Sequence, residues 1–231
     1  MKNISKDIAV LASGGVDSCI LLYDLTKKYN KVYPLYIKNG LFWEKAELYW
    51  LKRFLKAIQD RKNTLQKITV LKLPMQDLYD GHWSLTGRNV PDYEAKNPSV
   101  YLPGRNLVLL SKATLFCAMN HIGTLALGPL KGNPFKDSSR TFFRLFERSA
   151  SQALDTRISI ITPYCHRTKV EVIRRGQLLP LELTFSCIRP VGRYHCGRCN
   201  KCAERQMAFK KAGIADKTLY KGRWSHKRFR Y

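Results

Sequence analysis

Apolar positions along the chain change period repeatedly, and the changes outline alternating strands and helices. Ile8-Ala9-Val10-Leu11-Ala12 is a short unbroken apolar run, the mark of a strand buried on both faces. Cys19-Ile20-Leu21-Leu22 and Leu25 then begin a helical pattern. Lys31 to Ile37 reads as a second strand, although Pro34, which cannot donate to a ladder, weakens that reading or places the strand near a sheet edge. Ala46, Leu48, Tyr49, Leu51, Phe54, Leu55 and Ile58 recur at helical spacing. Lys67 to Leu73 alternates and is rich in branched residues, predicting a third strand. Residues 74–104 lack periodicity and are punctuated by Gly81, Gly87, Pro91, Pro98 and Pro103. A long irregular segment in a compact domain often acts as a lid. Leu107–Met119 predicts a helix, Thr124–Gly128 a strand, Phe142 to Phe146 a helix, Ile158–Ile161 a strand and Lys169–Arg175 a helix. Such alternation predicts an α/β fold, a doubly wound and mostly parallel sheet covered on both faces.

Hydrophobic residues make up 45% of the 231, which excludes global disorder. No apolar run of about 18 residues predicts a membrane span, and the start shows no secretory leader. Seven cysteines, an odd number, fit a reducing cytoplasm better than a disulfide framework. We expect a nucleotide-binding domain over 1–180, with 74–104 as its lid-like loop, and a cysteine-bearing segment over 181–231 ending in a basic tail. The charge is unusual: 41 Lys and Arg against 17 Asp and Glu give +24. That surplus raises a polyanionic partner, a nucleic acid or an acidic protein. The tail Trp224-Ser225-His226-Lys227-Arg228-Phe229-Arg230-Tyr231 mixes cations with rings that can hold phosphates and stack bases.

Ser13-Gly14-Gly15-Val16-Asp17-Ser18 joins the first strand to the first helix. Ligands of open parallel sheets bind beyond the carboxyl ends of the strands, where this loop lies. Gly14 and Gly15 let the backbone turn sharply and approach a phosphate. The helix N-terminus supplies free N–H groups, and the Ser13 and Ser18 hydroxyls add donors. Asp17 would repel phosphate directly, so a role through Mg²⁺ is the sensible one. Neither the Walker A pattern nor Gly-x-Gly-x-x-Gly is present, which disfavours a P-loop kinase or an NAD enzyme. The string resembles the signature of the ATP-pyrophosphatase group, whose members cleave ATP to AMP and pyrophosphate.

Cys187, Cys196, Cys199 and Cys202 carry two tight Cys-x-x-Cys spacings. Four thiolates make a coordinatively full, structural Zn²⁺ site. An iron–sulfur cluster is the alternative at this point, because thiolates bind those too. His195 adjoins the set as a bystander.

The ordered set of motifs resembles the 7-cyano-7-deazaguanine synthase (QueC-like) family. It comprises the glycine loop, Ser84-Leu85-Thr86, Val90-Pro91-Asp92-Tyr93-Glu94, Leu102-Pro103-Gly104-Arg105-Asn106, Thr162-Pro163 with Lys169 and Glu171, and the four cysteines. The resemblance implies a Rossmann-like domain with a small C-terminal zinc-binding subdomain. It implies ATP-dependent conversion of 7-carboxy-7-deazaguanine and ammonia to the nitrile through an adenylated carboxylate, with AMP and pyrophosphate as products. It further implies ATP contacts from Ser13, Gly14, Gly15, Asp17, Ser18 and Asn106, and catalytic roles for Asp17, Lys169 and Arg105. Deazaguanine contacts fall to Gly128, Phe135 and Asp137, and the chain would pair as a homodimer. Where the family shows Tyr-Gly-Gln the chain has Asn39-Gly40-Leu41, and Lys136-Asp137-Ser138-Ser139 replaces Pro-Asp-Cys-Arg. Two alternatives keep the ATP chemistry: a paralogue joining a deazapurine acid to a protein or nucleic acid, and a tRNA-modifying ATP-pyrophosphatase.

Overall fold

A computed structural model describes residues 7–59 and 63–221. The aromatic and basic tail lies outside the described residues. The elements run β1 (Asp7–Leu11), α1 (Val16–Thr26), β2 (Lys31–Lys38), α2 (Glu44–Ala57), β3 (Thr69–Lys72), α3 (Trp83–Thr86), α4 (Arg105–Met119), β4 (Thr124–Ala126), α5 (Arg140–Ala153), β5 (Ser159–Ile161), α6 (Lys169–Arg175) and α7 (Asn200–Ala212). Strand order is β3-β2-β1-β4-β5, and every pair is parallel. The chain winds outward from β1 to β3, then restarts on the other side of β1. The doubly wound expectation therefore holds.

Alternation along β1 builds the two faces. Ile8 and Val10 enter one core with Ile20 and Leu21 of α1, Leu51 and Phe54 of α2, Ile173 of α6 and Phe209 of α7. Ala9 points the other way, into a core with Leu110 and Ala113 of α4 and Phe143 of α5. Adjacent residues serve opposite layers because side chains alternate across a strand.

β2 lies next to the edge strand β3, near an edge as Pro34 suggests. It is flanked by β1 and β3, so it is not itself the edge strand and Pro34 must be fitted between two neighbours. The chain accommodates the missing donor by timing. On the β3 side Val32 exchanges hydrogen bonds with Thr64 and Gln66, and the ladder with β3 starts only at Leu35 opposite Thr69. Pro34 occupies the gap between those two pairings.

Residues 74–104 form little regular structure beyond α3 and one 3₁₀ turn, yet they are anchored. Val90, Val100 and Leu102 pack with Leu41, Trp43 and the four cysteines in a third apolar cluster. Asn200 N donates to Pro91 O at 3.0 Å. α7 escapes a periodicity search because it opens inside the cysteine motif, with Cys199 as its N-cap, and ends on the left-handed Gly213. Among the described residues no helix is long and apolar enough to cross a membrane.

Candidate active site and metal centre

The reversal of winding between β1 and β4 opens a crevice at their carboxyl ends. The glycine loop sits there. Gly14 has φ +75°, and a Cβ on it would lie 3.2 Å from the Glu47 carbonyl oxygen. Its own carbonyl accepts from Phe185 N at 2.7 Å. The turn is thus fixed from both sides. α1 begins after Gly15 with no side-chain cap. Its first N–H groups have no intrahelical partner, the arrangement that suits an anion. Ser18 Oγ lies 3.2 Å from Ser13 Oγ and donates to Gly15 O at 3.1 Å, which fixes both hydroxyls beside that helix end.

A pocket of about 230 Å³ gathers Ser13, Gly15, Asp17, Ser18, Arg105, Asn106 and Gly128. Two buried atoms among these lack a hydrogen-bond partner, Asp17 Oδ1 and Arg105 Nε. A buried polar atom left without a hydrogen-bond partner is costly. A carboxylate oxygen held open for a cation and a guanidinium N–H held open for an anion together fit Mg²⁺ and a polyphosphate.

The remaining expected residues stand around the pocket and do not line it. Gly14 shapes the turn. Asp137 accepts from Asn106 N at 2.9 Å through Oδ2, and its carbonyl accepts from Asn106 Nδ2 at 3.0 Å, so it orients Asn106. Phe135 stacks on Tyr101, with centroids 5.0 Å apart. Lys169 Nζ lies 2.8 Å from Asp17 Oδ2 and 2.8 Å from Glu204 Oε1, and Lys201 Nζ holds the other Glu204 oxygen at 2.6 Å. Burial pulls the Lys169 ammonium down, but Asp17 and Glu204 more than reverse that, so it stays charged. Burial likewise pushes Glu204 up, and Lys169 with Lys201 brings it down to about 2. A fixed chain of alternating charge runs from α7 to the glycine loop.

The pocket also recruits residues that motif reading passed over. Glu44 and Glu47 of α2 line it, with Tyr36 of β2. Glu44 takes the backbone N–H groups of Asn39 and Gly40, ordering the loop after β2. Glu47 accepts from Tyr36 Oη at 2.7 Å. Burial pushes its carboxyl up to about 7, against the opposing pull of Arg105 and Tyr36. A signal was present: Glu47 sits four residues before Leu51 and seven before Phe54, on the apolar stripe of α2.

The four cysteine sulfurs lie within 4.8 Å of one another and are buried. Backbone N–H groups of Arg189 and Cys196 point at Cys187 Sγ, and that of Arg198 at Cys196 Sγ, each at 3.3 Å. Donors aimed at sulfur stabilise thiolates, so the cluster fits a four-thiolate metal ion. His195 faces away: its Nε2 accepts from Ser186 N at 3.0 Å. Burial, helped by Arg205, lowers its pKa to about 3, so it is a neutral structural acceptor.

Residues 7–213 match the family model described as queuosine biosynthesis protein QueC. The 7-cyano-7-deazaguanine synthase 1 of Desulfitobacterium hafniense (strain Y51) is 31% identical over 206 residues, covering 87% of this chain and 90% of that protein. The 7-cyano-7-deazaguanine synthase of Anaeromyxobacter sp. (strain Fw109-5) is 31% identical over 232 residues, covering 95% and 98%. A solved 4-thiouridine synthetase–RNA complex with bound ATP has a TM-score of 0.47 at 14% identity, over 90% of this chain and 50% of that one. This last likeness adds nothing to the assignment. With a match spanning both the glycine loop and the four cysteines, the chain belongs to the queuosine biosynthesis protein QueC family.

Proposed function

We propose that this chain is a 7-cyano-7-deazaguanine synthase, an ATP-dependent carbon–nitrogen ligase that turns 7-carboxy-7-deazaguanine and ammonia into the nitrile. One observation carries the reading: at the β1/β4 crevice, Asp17 Oδ1 and Arg105 Nε are buried atoms of oppositely charged groups, and neither has a hydrogen-bond partner. The helix end of α1 and the two serines receive the pyrophosphate portion of ATP. Mg²⁺ held at Asp17 would offset phosphate charge. Arg105 balances charge as the substrate carboxylate attacks the α-phosphate and pyrophosphate leaves. Ammonia then displaces AMP, giving the amide. A second adenylation at the amide oxygen lets AMP depart with that oxygen, and loss of two protons leaves the nitrile. Lys169 holds Asp17 in place from behind, Asn106 borders the nucleotide, and Gly128, Phe135 and Asp137 belong to the deazaguanine side. The cysteine set carries structural zinc, and residues 181–221 act as the module that fixes α7.

A homodimer and a reducing cytoplasm complete the proposal, the latter because four thiolates must stay available to metal. Incubation with ATP, Mg²⁺, ammonia and 7-carboxy-7-deazaguanine gives AMP, pyrophosphate and the nitrile by mass spectrometry. AMP release without any nitrile overturns the assignment.

A further inference from the structure

The surface is more one-sided than the net charge of +24 implies. Of the 16 described Asp and Glu residues, ten are buried or half-buried, including Asp17, Asp24, Glu44, Glu47 and Glu204. Six acids remain exposed against 27 exposed Lys and Arg. A single-sign field of that size costs stability through self-repulsion and draws polyanions. Nothing in the conversion of a small acid requires it.

The field has an ordered ridge. Arg140, Arg144 and Arg148 are exposed and share one row of α5, spaced four residues apart, about 6 Å per step. None of the three is in an ion pair among the described residues. Glu147 is the one acid on the helix, and its Oε2 is occupied by Ile160 N at 2.7 Å. Arg140 and Arg144 line a pocket of about 340 Å³ with Thr141, Thr162 and Glu147, so two hydroxyls and two guanidinium groups share it with one carboxylate. The ridge begins two residues beyond Ser138, a wall of the catalytic pocket.

We propose that the α5 ridge docks a nucleic-acid strand by its phosphodiester backbone, without reading sequence. Guanidinium groups match phosphate with paired donors, and a regular row of them suits a regularly repeating anion. An acidic protein is the poorer fit. Protein interfaces need an apolar centre, and Leu145 is the only exposed large apolar side chain on α5 among the described residues.

Fluorescence anisotropy with labelled single-stranded RNA and DNA of random sequence, about 20 nucleotides long, tests this. Two double variants are compared: R144A/R148A on the ridge, and K27A/K28A as an equal charge loss elsewhere. Expected at 0.1 M salt is an affinity loss of about 20-fold for the ridge double, with a salt slope shallower by about 1.4. The control double loses less than about threefold, and R144K/R148K keeps the full slope. Nitrile formation from the free acid is unchanged in R144A/R148A, so a failure here is separable from a failure of the synthase assignment. Absence of binding, equal loss in both doubles, or displacement of the strand by polyglutamate of matched charge overturns the proposal.

Discussion

Lys169 places its ammonium 2.8 Å from Asp17 Oδ2, while Asp17 Oδ1 is buried and free. One carboxylate is thereby divided: one oxygen is anchored to α6, the other belongs to the pocket at the β1/β4 crevice. Asp17→Asn keeps the shape and removes the charge. AMP release should fall by about 10²–10³, with a melting temperature close to wild type because the pair is partly solvated. Chromatographic AMP assay beside a thermal melt reads both. Wild-type turnover would remove Asp17 from the mechanism.

The cysteine cluster and the charge chain meet on α7. Cys199 and Cys202 open the helix, and Glu204 one half-turn later grips Lys169. Cys199→Ser breaks the thiolate set and lets the third apolar cluster loosen. Expected are loss of bound zinc by elemental analysis and a fall in melting temperature of about 10 °C. AMP release should drop with it, since Glu204 no longer holds Lys169 against Asp17. A stable, active and metal-free variant would contradict this coupling.

Much of the scaffold was legible because buried parallel strands advertise themselves as unbroken apolar runs, as Ile8–Leu11 does. The glycine loop and the cysteines were legible because their spacing is chemistry. Pro34 was ambiguous because position in a sheet depends on where the neighbouring ladder starts, a long-range fact. α7 stayed hidden because its first turn serves a metal site and its apolar face is short. Glu204 and Asp17 are far apart in sequence, so nothing local announces that one lysine joins them. Phe135 and Asp137 illustrate the same limit: the sequence points both at a ligand, whereas in the fold Asp137 is turned to Asn106 and Phe135 to Tyr101.

Glu47 gives a pH dependence with a definite sign. An ordinary glutamate titrates near 4.5, and burial pushes this one up to about 7. Between those values the folded chain keeps a proton that the unfolded chain has released. Stability from this group therefore falls as pH rises through the window, by about 3 kcal/mol in all. His195 runs the other way: held neutral down to about 3 by burial, it adds stability as pH rises toward 6.5. The two overlap, so the useful quantity is a difference. The stability of Glu47→Gln relative to wild type should climb from pH 4.5 to 7 and then level off in urea melts. A flat difference would mean that Glu47 is ionised throughout.

Gly176 tests how closely the helices that carry Asp17 and Lys169 must sit. It follows the last turn of α6, and its φ of −92° suits any residue. Space is what it lacks: a Cβ there would lie 2.5 Å from Ile20 Cδ1, in the fully buried centre of α1. Gly176→Ala must therefore push α6 away from α1, at a cost of about 2 kcal/mol. α1 carries Asp17 and α6 carries Lys169, so the displacement reaches the site. The variant should melt about 6 °C lower and show a raised KM for ATP. Trimming the neighbour separates sterics from any backbone effect. Ile20→Ala alone costs about 3 kcal/mol through its cavity. If the clash is the cause, the double variant is more stable than the sum of the two losses allows, by about 1 kcal/mol or more. Additive losses would show that the α1–α6 contact is slack, and that the Lys169–Asp17 distance is not set by it.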